Sequence, residues 1–524
     1  MLVEFTSILE PGNGQEKKSA RLPAFFADLN LDRIVQLIQE QAGEYDITNM
    51  FYYFPDEEGA AYRRDIYQDM KNPLIFTGFE EFSDAMRKSA HLESHHAAKD
   101  NEMQGCIWKL EAIYYYCKAV SRLHEALKET SSKGQLSSRG LRLLYEYLCR
   151  LVQNDRFAGM QKKVCDIWDK VRGFRFVLSI QGNRLVLKED TKEGLYDQFM
   201  KECFQEYNAA DKEGLSSPYQ TDLYLSGLEQ RLLAAFFAKN ASLLKEIKGF
   251  VNEYAGYKEA VLCCLEGEVQ FYLAYYRFQR KCVSQGFAFS CPECCPDKPM
   301  QGEGVYDLAL ACVNYLEEKE VISNDFIFNR EERFFVVNGP NQGGKTTFAR
   351  SLGQLVFFAK LGLDVNARTA NVHYFTDLLT HFSVEESMES GQGKLMEELN
   401  RLAPVMKQQC RGAFVIINEL FTTAAHYDGC IMGARVLEHF IKYECCGVYV
   451  THLRELGNAC TGVVRMTAML DGTKEHRRTY RVMRNSDCTG GYAEDIVNKH
   501  QLSYESLRER LKNCEWQKGG QEVC

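Results

Sequence analysis

Proline is scarce, with ten residues in a chain of 524. None stands between Pro73 and Pro218, and none between Pro218 and Pro292. Proline removes a backbone donor and clashes with the preceding turn, so runs this long without it permit long helices. Uninterrupted apolar stretches long enough to span a bilayer are also missing, which excludes a membrane-spanning helix. Met1 to Gly14 has no basic segment followed by an apolar core, so no secretory signal is expected. The 20 cysteines are then expected as free thiols in a reducing cytosol, and the location as cytoplasmic. A basic excess is lacking as well. The formal net charge is −9, which weakly disfavours nucleic-acid binding, although phosphate contact depends on local charge and not on the sum.

What is present reads as a soluble globular protein, 45% hydrophobic and 26% charged. Its length exceeds what a single hydrophobic core supports, so two to four domains are expected. Ile107, Leu110, Ile113, Tyr114, Cys117, Val120, Leu123 and Leu127 recur at helical spacing. Leu228, Leu232, Leu233, Phe236 and Phe237 do so again, followed by the stretch from Phe271 to Phe278. Phe174 to Lys188 breaks the pattern with two strand-like runs about Gln181-Gly182-Asn183, which predicts a hairpin. The region is locally basic: between Lys133 and Lys188 twelve Lys and Arg face only Glu146, Asp155, Asp166 and Asp169. That is either a solvated helix face or a surface that gains affinity by releasing phosphate counterions.

From Arg333 onward the order becomes strand, glycine loop, helix, strand. Phe334 to Asn338 and Ala413 to Ile417 are short apolar runs, as expected of parallel strands buried on both faces. Between them lies Gly339-Pro340-Asn341-Gln342-Gly343-Gly344-Lys345-Thr346, continued by Thr347. It fits G-x-x-x-x-G-K-[ST] in the strand-to-helix setting that the motif requires. Glycines let main-chain amides close around phosphates, and the helix start adds partial positive charge. Lys345 is expected to neutralise the β- and γ-phosphates of ATP, with Thr346 as a ligand of Mg²⁺. The second strand ends in Asn418-Glu419, which makes Glu419 the expected general base. His452, closing the run Gly447 to Thr451, is expected to sense or orient the γ-phosphate.

GPNQGGKTT resembles the phosphate loop of the MutS family of mismatch-repair ATPases almost letter for letter. Tyr427-Asp428-Gly429 resembles the family's D-loop, and Thr451-His452 with Glu455-Leu456 its T-H-x-x-E-L switch. Val321 to Asp325, with Asn324, is similar to the segment that packs on adenine. Ser390 to Leu399 is similar to the signature loop that reaches the γ-phosphate of the opposite subunit. The likeness is specific over roughly residues 320 to 500 and much looser over 30 to 320. It implies an α plus α/β fold, with a long-helix core and lever region carrying a small β clamp tip, then a P-loop ATPase domain of ABC type. The implied division is 1–100 as an N-terminal helical core segment and 101–300 as lever helices with the clamp-like hairpin near 174–188. Residues 301–524 then form the ATPase domain with a C-terminal helical tail.

The resemblance further implies a homodimer using ATP and Mg²⁺, with Asp428 and Gly393 acting across the subunit interface, clamping double-stranded or branched DNA. Ribosomes or another ribonucleoprotein are the alternative substrate. Three departures stand out. Asn418 replaces the family's acid, which lowers the charge offered to Mg²⁺ and predicts weaker retention of the ion and slower turnover. Gly393 replaces a serine, leaving Lys394 as the cation in its place; with Asn418 this motivates a further alternative, a slowly hydrolysing, nucleotide-gated assembly factor. The mismatch-reading domain is expected to be missing. Gly78-Phe79-Glu80-Glu81 offers a Phe-x-Glu triplet, but its expected setting is a loop between helices. Cys291, Cys294 and Cys295 have no second close pair nearby with which to complete a zinc site.

Overall fold

The structure is a computed structural model. It describes residues 5–12, 22–96, 102–174, 176–181, 184–189, 227–316, 320–382, 394–407, 411–471, 478–484 and 502–513. In chain order the first helices are α1 (Phe25–Asp28), α2 (Leu31–Gln39), α3 (Glu57–Met70), α4 (Pro73–His96) and α5 (Glu102–Ser132). Next come α6 (Arg139–Gln153), α7 (Asp155–Gly173) and the hairpin β1 (Phe176–Gln181) and β2 (Arg184–Glu189). Three more helices follow, α8 (Gly227–Lys239), α9 (Ala241–Glu253) and α10 (Ala260–Ser284). After them the chain alternates: β3 (Met300–Val305), α11 (Leu308–Leu316), β4 (Asn324–Phe328), β5 (Phe334–Asn338), α12 (Lys345–Lys360), β6 (Thr369–Asn371) and β7 (Leu378–Phe382). It continues with α13 (Lys394–Lys407), β8 (Phe414–Asn418), α14 (His426–Lys442), β9 (Cys446–Val450), β10 (Val463–Leu470), β11 (Arg478–Arg484) and α15 (Tyr504–Asn513). No helix among the described residues is long and apolar enough to cross a membrane.

Two compact units emerge. One comprises residues 1–14 and 68–273, the other 15–67 and 274–524. Among its described residues, the regular elements of the first are helices apart from the hairpin. In α5 the apolar stripe Leu110, Ile113, Cys117, Val120, Leu123 and Leu127 is buried, as its helical spacing predicts. Gly78 of α4 lets that helix approach α5 closely, since a Cβ there would lie 2.5 Å from Ala126 Cβ. The Phe-x-Glu triplet that begins at Phe79 is therefore not in a loop. It sits inside α4, with Phe79 fully buried as core. The hairpin strands pair antiparallel with Gln181 opposite Arg184; Gly182 and Asn183 lie outside the described residues.

The second unit is built on a six-stranded sheet of order β11-β10-β5-β9-β8-β7. All its pairings are parallel except β10 with β11. Strands β5 and β8 are buried at every position, as strands covered on both faces must be. A smaller sheet has the order β4-β3-β6.

Helix α12 is buried along nearly its whole length. The N-terminal stretch covers it. Phe25, Phe26 and Phe54 surround the ring of Phe357 at centroid distances of 6.2, 5.5 and 5.9 Å. Arg350 Nε donates to Asp28 O at 2.8 Å, and Gln354 Nε2 to Leu29 O at 3.0 Å. Each such aromatic side chain contributes about 1.5–3 kcal/mol by leaving water. The grouping of 15–67 with 274–524 thus differs from the division into 1–100, 101–300 and 301–524.

The last residue of α12, Lys360, is only 2% exposed. Its Nζ donates to Phe375 O and, at 3.3 Å, to Thr376 O. It also lies 4.7 Å from the centre of the Phe54 ring and 4.5 Å from that of Tyr374. Burial nevertheless dominates and lowers its pKa from 10.5 to about 8. The unfolded chain therefore holds this proton over a pH range where the folded chain has released it. Stability rises with pH across that range, from about 8 to 10.5. Relative to Lys360→Met, the wild type should gain about 3 kcal/mol over the interval. Urea unfolding of both proteins across it measures the gain; parallel curves would exclude this role for Lys360.

Candidate functional site

The loop between β5 and α12 folds as its glycines dictate. Gly339 has φ +133° and Gly344 φ +91°, conformations that a residue with a Cβ rarely adopts. A Cβ on Gly339 would also lie 2.8 Å from Ala468 Cβ. The loop curls around Lys345, whose Nζ donates to Gly339 O at 2.9 Å and to Pro340 O at 3.1 Å. Lys345 is 5% exposed. Burial lowers the pKa of its ammonium, and the charge of Glu419 acts in the opposite sense. A buried cation among main-chain amides at a helix start is matched in charge to a polyanion such as a triphosphate.

Beside the loop, Thr346 Oγ1 donates to Asn418 Oδ1 at 3.0 Å. Asn418 closes β8, buried between strands, and the chain turns sharply at Glu419, which has φ +54°. Its amide donates to Val450 O at 2.9 Å, tying the turn to the end of β9. His452 Nε2 lies 3.0 Å from Glu419 Oε1. Two hydroxyl and amide oxygens and a carboxylate thus stand beside the phosphate-type loop. Oxygen donors of this kind suit a hard cation such as Mg²⁺.

A cavity of about 780 Å³ opens over these groups, lined by Pro340 to Thr347, by Glu419 and by Asn324. Asn324 Oδ1 accepts from Val482 N at 2.7 Å, and its Nδ2 donates to Tyr480 O at 3.3 Å. Among the residues expected from sequence, the structure therefore gathers Asn324, the whole loop, Asn418, Glu419 and His452. Asp428 lies apart from the cavity, exposed in the first turn of α14. Ser390 and Gly393 lie outside the described residues, as does the side chain of Lys394.

Four further residues line or brace the cavity without having been singled out by sequence. Tyr480 (φ +57°), Glu320 and Leu310 line it, and Arg478 Nη1 donates to Gln342 Oε1 at 2.9 Å. Tyr480 and Arg478 come from β11, an exposed edge strand with no motif to mark it. An aromatic and an arginine on an amphipathic edge strand are the signals they left.

A family model for MutS domain V matches residues 335–499. The chain carries a MutS-type domain V. The MutS-type match covers β5, α12, β8 and β9 and so contains the loop, Asn418, Glu419 and His452. Among its relatives are the DNA mismatch repair protein msh-2 of Neurospora crassa, 29% identical over 147 residues, and the DNA mismatch repair protein spellchecker 1 of Drosophila melanogaster, 29% over 164. The DNA mismatch repair protein MutS of a Thermotoga maritima strain is 28% identical over 135. These matches cover 28%, 30% and 26% of this chain, and 16%, 18% and 17% of those proteins. The chain thus matches less than a fifth of the length of these MutS-family relatives.

In the helical unit, part of the basic stretch is already engaged. Lys163 Nζ lies 2.7 Å from Glu253, and Lys170 Nζ 2.5 Å from Glu246. Both pairs join α7 to α9 and are exposed, where such pairs add little stability. The side chains of the hairpin lie outside the described residues.

Proposed function

We propose that the chain is a MutS-type ATPase that works as a homodimer and couples ATP turnover to clamping of branched or otherwise distorted double-stranded DNA. The observation that carries the reading is the convergence of Lys345, Thr346 and Glu419 on one cavity, with Asn418 bonded to Thr346 and His452 beside Glu419. Lys345 releases its two loop carbonyls and neutralises the β- and γ-phosphates. The amides from Asn341 to Thr347 hold the remaining phosphate oxygens, while Asn324 and the ring of Tyr480 border the base. Thr346 and Asn418 would hold Mg²⁺, which would supply charge neutralisation to the phosphates. Glu419 takes a proton from the attacking water, and His452, 3.0 Å away, orients that carboxylate and faces the γ-phosphate.

Asp428 and Gly393 then act across the dimer, so that each ATP site is completed by the second copy. The helices of the first unit serve as levers and the β1–β2 hairpin as the clamp tip. Lys163 and Lys170 are engaged by α9 carboxylates and Lys133 is likewise paired, with Glu129, so phosphate contact along this stretch requires such pairs to open. Asn418 and Gly393 favour slow turnover, which is also how a nucleotide-gated assembly factor would behave.

Electrophoretic binding of four-way junction DNA and of purified ribosomes, each with and without ATP, tests the substrate. Junction DNA should be bound at low salt, with an affinity that changes on adding ATP and falls steeply with salt. Binding of ribosomes alone would transfer the motor to a ribonucleoprotein. Absence of junction binding at low salt in either nucleotide state would exclude DNA.

A further inference from the structure

Away from the nucleotide cavity, three ligand-type side chains meet where α14 faces the short 3₁₀ turn Arg454–Asn458. His426 and Cys430 stand one helical turn apart at the start of α14, so they share a face. Glu455 approaches both from the turn after β9. His426 Nε2 lies 3.5 Å from Glu455 Oε2, and Cys430 Sγ donates toward the same oxygen at 3.8 Å. All three ligand atoms lie within 4.8 Å of one another.

Two of these separations are those expected at a tetrahedral ion. With metal–nitrogen and metal–oxygen bonds of about 2.0–2.2 Å and a metal–sulfur bond of about 2.3 Å, a zinc ion places nitrogen and oxygen about 3.4 Å apart, and sulfur and oxygen about 3.6 Å apart. The structure meets both to within a few tenths of an ångström. Without an ion the two distances need an ion pair from His426 and a separate thiol hydrogen bond from Cys430, whereas one ion accounts for both. The donor set also selects the ion. Imidazole, thiolate and carboxylate together suit a borderline metal such as zinc, whereas Mg²⁺ and Ca²⁺ take oxygen.

We propose that His426, Cys430 and Glu455 form a divalent zinc-class site with three protein ligands and an open fourth position. None of the three lines the nucleotide cavity, so the site stands whether or not the ATPase reading does. The ion takes the thiolate form of Cys430, so binding displaces a proton and the affinity rises with pH. Its consequence is mechanical. His426 and Cys430 bracket Tyr427-Asp428-Gly429, and Glu455 is in the segment that carries His452, so a bound ion joins these two segments directly.

Titration of the full chain with cobalt(II), followed by zinc competition, tests the site. The wild type should show a thiolate-to-cobalt charge-transfer band that zinc abolishes. Cys430→Ser should lose that band. His426→Ala and Glu455→Gln should weaken cobalt binding by more than about 100-fold, because loss of an outer-shell partner alone costs roughly 10- to 100-fold. Cys263→Ser, at an exposed cysteine in the other unit, should bind as the wild type does. Circular dichroism without metal establishes that each variant is folded; His426 is exposed, so its loss leaves the core intact. A wild type without the band, or a band retained at full strength in both Cys430→Ser and His426→Ala, would overturn the proposal.

Discussion

Glu419→Gln should lower ATP turnover by about 10²- to 10⁴-fold, the contribution of a positioned general base, and leave ATP affinity close to that of the wild type. Glutamine keeps the size of the side chain and can still bond to His452, but it cannot accept the proton. The backbone supports the assignment. Glu419 holds φ +54°, a left-handed conformation that is uncommon for a residue with a side chain and clusters at functional sites. The bond from its amide to Val450 O holds it there, and the turn aims the carboxylate into the cavity. Asn418→Asp, measured in the same assay, should raise turnover by restoring a charge beside Thr346. A wild-type rate equal to that of Glu419→Gln would remove Glu419 from the chemistry and leave a site that binds without hydrolysing.

Gly447→Ala should destabilise the second unit by about 3 kcal/mol or more, the upper range for overpacking a buried site. Gly447 stands in β9, at the centre of the sheet between β5 and β8. A Cβ there would press into the Val415 carbonyl and lie 2.9 Å from the Phe334 ring. Neither neighbour can yield, since Val415 and Phe334 are fully buried strand residues. The damage would spread to function, because Val450 ends the same strand and His452 follows it two residues on. Urea unfolding followed by tryptophan-independent far-UV signal measures the loss; a change under about 0.5 kcal/mol would mean that the strands are not packed as described.

Much of the second unit was legible because its signals are local. The phosphate-type loop is contiguous, and it lies between a strand and a helix that declare themselves by apolar runs. Glu419 was legible for the same reason, as the first carboxylate beyond a buried strand. The hairpin was legible through its alternation and turn residues. What was hidden depends on pairs distant in sequence. Arg350 and Asp28 are 322 positions apart, and nothing near Phe25 or Phe26 announces Phe357 as their partner. Arg478 reaches Gln342 across 136 positions from an edge strand with no motif. Phe79 was misread in another way: it was expected in a loop between helices, whereas it is buried inside α4. Lys163 and Lys170 counted as free cations until α9 brought its glutamates to them.

Equilibrium ATP binding by the wild type and by Lys345→Ala, measured by calorimetry with Mg²⁺ present, reaches the foundation of the mechanism. Losing charge-assisted bonds to phosphate should weaken binding roughly 10- to 100-fold, with the fold unchanged by circular dichroism. Equal affinity in the two proteins would contradict the account, because the triphosphate would then lie somewhere other than at the turn from β5 into α12.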